Sequence, residues 1–208
     1  MTFPLARRKR SSTILSVVQS SIAHVTYYKL MQRPDYMPFT PYHFGPALLL
    51  GVLLFPFVDL ATVMMASVVV DLEPLAVLFF DLAYPMHGFF HTYLGASIAA
   101  FVLTGFVYPF RKYLNGIVSL FGLHQRSSLR HIIGGSLLGT YSHVFLDSIL
   151  YAEMNPFFPV LGNPFLGLFS FGAVYNFCLI CGFVGFICYV VRALLKPGVV
   201  DEGDDPFT

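Results

Sequence analysis

Charge is the scarcest commodity in this sequence. Asp, Glu, Lys and Arg together make up 11% of the 208 residues, less than half of the roughly 25% found in an ordinary soluble domain. Hydrophobic residues supply 56%, and the mean hydropathy is +0.71. So few charges cannot clothe a water-facing surface, and the same composition excludes a disordered chain and a charge-rich coiled coil. Charge of either sign is equally short: 12 Lys and Arg stand against 11 Asp and Glu, a net +1. That removes the electrostatic case for nucleic acid as a main partner. Cysteines number three, and Cys178, Cys181 and Cys188 all fall in one apolar run rather than in a framework of loops, which excludes a disulfide scaffold. Also missing are a glycine-rich phosphate loop, a Gly-x-Ser-x-Gly elbow, an internal repeat, and the dense apolar core with small-residue cleavage site of a secretory signal. What remains is a one-domain integral membrane protein whose partner is the lipid bilayer.

The apolar runs are easy to place. They cover 44–58, 60–70, 88–110, 131–150 and 165–191. A helix needs about 20 apolar residues to cross a hydrocarbon core of about 30 Å, so the last three are expected to span. The first two are short, and Pro56-Phe57-Val58-Asp59 joins them as a tilted or partly inserted helical hairpin. Open sheet edges cannot exist in lipid, so the expected fold is all-α, a polytopic transmembrane bundle of about four to five membrane helices with the first two short. Residues 1–36 differ from the rest, with Arg7-Arg8-Lys9-Arg10 and a Ser-rich stretch, and are read as a basic, polar N-terminal extension; 37–195 form the membrane domain and 196–208 an acidic tail. Arg111, Lys112, Arg126, Arg130, Arg192 and Lys196 gather on one side, whereas 71–87 and 151–164 hold acids but no Lys or Arg. By the positive-inside rule the 111–130 connection and the C-terminus face the cytoplasm of a multi-pass cell-membrane protein. The 7–10 cluster argues the other way unless 11–30 also crosses.

Four polar features collect at the opposite end: Thr40 to His43, Asp71-Leu72-Glu73, His87 to His91, and His143 to Asp147. The last two are i,i+4 pairs, which on a helix project from one face a turn apart and are how helical sites offer two ligands to one ion. Imidazole with carboxylate suits zinc and related divalent cations. An aspartate deep in a spanning helix costs about 2.5–3.5 kcal/mol on insertion scales, so Asp147 is expected to pair, bind or react. Other polar residues invite plainer readings. His24, His124 and His131 are packing or interface residues, with His131 capping a helix start. Cys178 and Cys181 are buried thiols despite their redox-like spacing. Gly135 with Gly139, and Gly182 with Gly185, allow helices to approach closely. Tyr108, Tyr141 and Tyr151 suit interface belts, and the 23 phenylalanines are lipid-facing bulk.

At these residues the sequence resembles the membrane-bound metal-dependent hydrolases of bacteria and archaea, often described as LexA-regulated inner-membrane hydrolases. The likeness covers about residues 37–195. It rests on Thr40-x-x-His43, an Asp-x-Asp-like element at Asp71, the step from His87 to His91-Thr92, and the step from His143 to Asp147, followed by the turn Asn155-Pro156-Phe157-Phe158-Pro159. Glu73 stands where that family tends to have Asp, and Gly88 where many relatives have Arg. The same order is distantly similar to zinc-dependent phospholipase C, whose further His-x-x-x-Glu step is missing here. The resemblance implies a hydrolase with one or two divalent metals, most readily zinc, held by His43, Asp71, His87, His91, His143 and Asp147. It implies Asp71 or Glu73 as the group that orients water, with Glu73 as expected general base. The substrate expected from the site's position is a phosphate ester of a lipid or lipid-linked molecule.

The rival reading is a transporter that carries protons or metal ions through the His/Asp cluster. It calls for polar residues spread through the bilayer depth, whereas these gather near one end and 165–191 has no charge. A haem-based electron carrier would want His pairs facing across helices, and a non-catalytic metal-binding scaffold needs only the cluster itself.

Overall fold

The computed structural model describes residues 41–125 and 127–195. The extension 1–36 with His24, the start of the membrane domain up to Thr40, Arg126, and the tail 196–208 with Lys196 lie outside the described residues. Within them every regular element is helical and no strand occurs, as the composition requires. A 3-10 turn at Pro41–His43 leads into α1 (Phe44–Leu53); α2 (Leu60–Val69) and α3 (Leu72–Phe79) follow; a second 3-10 turn at Phe89–His91 precedes α4 (Tyr93–Leu120); α5 (Leu129–Leu150) and α6 (Phe171–Leu195) complete the bundle.

The expected hairpin is present. α1 stops just short of Pro56, and Asp59 opens α2 by accepting the Thr62 backbone N–H at 2.7 Å. Three segments are long and apolar enough to cross a membrane: Leu60–Phe79, Tyr93–Leu120 and Phe171–Leu195. This set differs from the expected one at two places. The 60–70 run does not end at Asp71, because the chain turns only once at Val70-Asp71 and continues as α3. The 131–150 run forms α5, a helix of 22 residues, but it is absent from the apolar set. Its neighbours explain this: α5 packs on α2 along one side and on α4 along another, so protein rather than lipid surrounds most of its polar residues.

Glycines set how close α5 comes to α2. A Cβ at Gly139 would lie 2.5 Å from both the Ala66 Cβ and the Val63 carbonyl oxygen, and one at Gly135 would lie 2.9 Å from the Asp59 carbonyl oxygen. Only glycine fits these contacts. Gly135, Gly139, His143 and Asp147 recur every fourth residue, so the face that closes on α2 carries the histidine and the aspartate with it. Ala66, Leu103, Val107 and Ile132 fill the junction of α2, α4 and α5. On the other flank α6 packs against α1, and a Cβ at Gly185 would meet the Leu49 backbone nitrogen at 2.8 Å. The outer side of α6 bares Phe177, Ile180, Phe183 and Ile187.

Opposite the future site, Asp59 also accepts the Thr62 and Ser127 hydroxyls. The Gln125 amide donates to the Phe55 and Val58 carbonyls at 2.8 and 2.7 Å and accepts the Leu60 N–H. His131 sits at the third position of α5 and closes a capping box with Ser128, the helix-start role expected of it. His124 is exposed. Arg111 and Arg192 lie at this end, their guanidinium groups over the Tyr108 and Phe55 rings at 4.2 and 4.1 Å.

Candidate metal centre

The other end of the bundle buries imidazoles and carboxylates together. His143 lies on α5 roughly 10 Å below that helix's C-terminal end, seven residues at 1.5 Å each. The Gly139 contact one turn earlier brings α2 near enough for His143 Nδ1 to donate to the Ser67 carbonyl at 2.6 Å. That bond consumes Nδ1 and leaves Nε2 aimed at Asp71 Oδ1 (3.3 Å) and Asp147 Oδ2 (3.0 Å). Asp71 occupies the turn between α2 and α3, so the continuation of the helix past Val70 is what presents its carboxylate.

His91 repeats the arrangement from a different element. Its Nδ1 donates to Glu73 Oε2 at 2.9 Å, and its Nε2 faces Asp71 Oδ1 and Asp147 Oδ2, each at 3.8 Å. His87 repeats it again, with Nδ1 on Glu153 Oε1 at 2.7 Å and Nε2 4.0 Å from Asp147 Oδ2. The His87/His91 pair is therefore not the one-faced helical pair that its spacing suggests. His91 ends a 3-10 turn and α4 starts only at Tyr93, after Thr92 caps it by accepting the Gly95 N–H. The two rings meet at right angles, centroids 4.9 Å apart, because the turn folds them together. His43, from the turn before α1, places Nε2 3.1 Å from Asp147 Oδ1 and its ring 4.0 Å from that of His143.

Asp147 thus touches four imidazoles. Donor atoms of Asp71, His91, His143 and Asp147 all lie within 4.8 Å of one another, and all four residues are buried. Two buried atoms that point into this group, His91 Nε2 and His143 Nε2, have no hydrogen-bond partner among the described residues, nor do Asp71 Oδ2 and His43 Nδ1. Buried polar atoms are rarely left in that condition, since each costs about 1–3 kcal/mol. A divalent cation would answer both Nε2 atoms at once, with Asp71 Oδ1 and Asp147 Oδ2 as the facing oxygens. Four donors about 2.05 Å from a common centre in a tetrahedron are about 3.3 Å apart, and the facing N–O distances here run from 3.0 to 3.8 Å.

His87, His91 and His143, which face the centre with Nε2, are each tied back through Nδ1 to a carboxylate or a backbone carbonyl. This is how metal-binding histidines are usually held in tautomer and orientation. Glu73 accepts from His91 and also from the Phe90 N–H at 3.1 Å. It therefore positions a ring, while Asp71 keeps an oxygen free. Burial pushes the Glu153 carboxyl up, but the hydrogen bond from His87 outweighs it and holds the group below the ordinary glutamate range. Tyr151 stacks on His87 with centroids 3.9 Å apart, which makes it part of this cluster rather than of an interface belt.

Sequence reading did not assign Glu153, Tyr151 or the Ser67 carbonyl to this end of the bundle's chemistry. The one available signal was Glu153 itself, the sole charged residue in 151–164. Cys178 and Cys181 are buried free thiols and are not among the four residues whose donor atoms converge. No family model matches the chain, and no curated protein or solved structure matches it either.

Proposed function

We infer that this is a multi-pass cell-membrane protein that uses one or two divalent cations, most readily zinc, to hydrolyse a phosphate ester of a lipid or lipid-linked molecule. The observation that carries the reading is the pair of orphaned Nε2 atoms of His91 and His143, which converge with the Asp71 and Asp147 carboxylates. The resemblance to the membrane-bound metal-dependent hydrolases adds to it, since the six ligands it implies, His43, Asp71, His87, His91, His143 and Asp147, lie together here.

A bound divalent cation would lower the pKa of a coordinated water towards about 7 and offset charge on the phosphoryl group. The chain's own residues do the rest. His91, His143, Asp71 and Asp147 hold the cation, and His43 and His87, both against Asp147, extend the donor set towards a second one. Glu73, Glu153 and the Ser67 carbonyl fix the rings. Asp71, with Oδ2 uncommitted, is better placed than Glu73 to accept the water's proton. The water oxygen bonds to phosphorus, the ester P–O bond breaks, and the alcohol leaves carrying a proton.

A transporter reading has less support. The cluster's four imidazoles gather at one end, and the described residues of α6 carry no charge before Arg192. Zinc measured by elemental mass spectrometry in detergent-purified protein, beside hydrolysis of p-nitrophenyl phosphate, tests the proposal. One to two equivalents with hydrolysis, both lost in His143→Ala, support it. Wild-type protein without stoichiometric metal after reconstitution sinks it.

A further inference from the structure

The side of α5 turned away from the metal centre has its own feature. Leu138, Tyr141, Ser142 and Phe145, at helical spacing, line a shallow, open groove of about 530 Å³ together with Tyr93 and Phe157. Its hydroxyls at Ser142 and Tyr141 are already used: Ser142 Oγ donates to the Gly139 carbonyl at 2.9 Å, and the Tyr141 hydroxyl bonds Ser97 Oγ at 2.8 Å. What these residues offer an occupant is hydrocarbon.

The groove leads to the metal centre's end of the bundle. Tyr93 follows His91 by two residues and Phe157 follows Glu153 by four, and the Tyr93 N–H locks the two segments together on the Pro156 carbonyl at 2.8 Å. Tyr93 on the groove side and Tyr151, stacked on His87, pack against one cluster of Val70, Ala96, Val144 and Met154. The groove and the centre therefore share a wall.

The rim of that end points the same way. Phe79, Phe80, Val160 and Leu161 are 67–80% exposed, and 71–92 and 151–164 contain no Lys or Arg. Such a rim is at home among acyl chains and is costly in water. It also has no cationic field to draw a free anion from bulk solution.

We propose that this groove holds one hydrocarbon chain of a membrane lipid while the lipid's phosphate head group reaches the metal centre, so that substrate enters sideways from the bilayer. The substrate role rests on the hydrolase reading above. The test uses full-length, zinc-loaded protein in phosphatidylcholine nanodiscs containing phosphatidic acid with a diazirine in one acyl chain. Photolabel should concentrate on the 138–145 segment and Phe157. Ser142→Trp, which fills the groove, should cut that labelling at least tenfold. It should lower the ratio of phosphatidic acid to p-nitrophenyl phosphate hydrolysis by a similar factor, with zinc content as the check on folding. Phe157→Ala, a truncation at an exposed position, should lower both two- to fivefold. Label spread evenly over the outer face of α6, or a ratio unmoved in both variants that retain zinc, overturns the groove. Failure of the zinc-loaded wild type to hydrolyse either ester is a different result: it overturns the hydrolase reading and removes the groove's substrate role with it.

Discussion

The α2/α5 pair buries an aspartate at each end and treats the two in opposite ways. Asp59 accepts one backbone N–H and two hydroxyls, from Thr62 and Ser127, and the neighbouring loop carbonyls are taken by Gln125. Asp147 is ringed by four imidazoles at 3.0 to 4.0 Å, and buried atoms around it have nothing to bond. A carboxylate given three donors is a structural knot, because its desolvation is answered within the chain. A carboxylate amid convergent, unanswered acceptors and imidazole nitrogens needs something from outside. Burial is the same at 3% and 4% exposure, so burial alone does not tell structure from site; hydrogen-bond satisfaction does.

The sharpest way to break this contrast is to remove each aspartate in turn. Asp147→Ala should lower bound zinc by more than tenfold, since every imidazole of the cluster loses its shared neighbour, whereas Asp59→Ala should keep wild-type zinc. Equal zinc in the two variants would erase the distinction between the ends. Next in size are the residues that hold the rings. Glu73→Gln and Glu153→Gln should each weaken zinc about 10–100-fold, the usual effect of losing such a partner, without lowering stoichiometry at saturating zinc; competitive titration with a chelating dye reads this. Full loss of stoichiometry in Glu73→Gln would make it a ligand instead.

Smaller again is the stability cost at the knot. Asp59→Ala removes a helix cap and leaves the Thr62 hydroxyl unanswered, while Ser127 keeps Asn115 Oδ1 at 3.1 Å, an expected loss of about 1–3 kcal/mol. It should appear as a lower melting temperature in detergent with metal content unchanged. Least of all should be Cys188→Ala, at a half-buried free thiol that packs against the Val52, Phe55, Leu60 and Leu123 cluster. Zinc should be unaltered and stability within about 0.5 kcal/mol of wild type. A thiol that proved necessary for zinc would move the centre to α6.

Much of the architecture was legible from composition and spacing. Low charge and long apolar runs dictate helices, because no other open structure satisfies its backbone in lipid. The four-residue recurrence of Gly135, Gly139, His143 and Asp147 is a local property of one helix, so it could be read as one face. The His87/His91 spacing misled for a physical reason: i,i+4 implies a shared face only where the backbone is α-helical, and Thr92 delays that helix to Tyr93. The helical continuation past Asp71 was missed because its acids and Pro74 look like a terminus, yet proline is tolerated in the first turn of α3.

The sequence by itself determined the helical class, the apolar surface and the polar end, and it offered six nitrogen and oxygen donors, of which those of Asp71, His91, His143 and Asp147 come within reach of one ion. Only the tertiary structure decided which nitrogen of each histidine faces inward, that Glu73 and Glu153 serve rings, and that Asp59 is answered within the chain while Asp71 Oδ2, His91 Nε2 and His143 Nε2 at the other end are not. Spacing along a chain fixes the face of one helix; a hydrogen bond between residues 66 or 76 positions apart, such as His87 to Glu153 or His143 to Ser67, exists only once packing has set the distance.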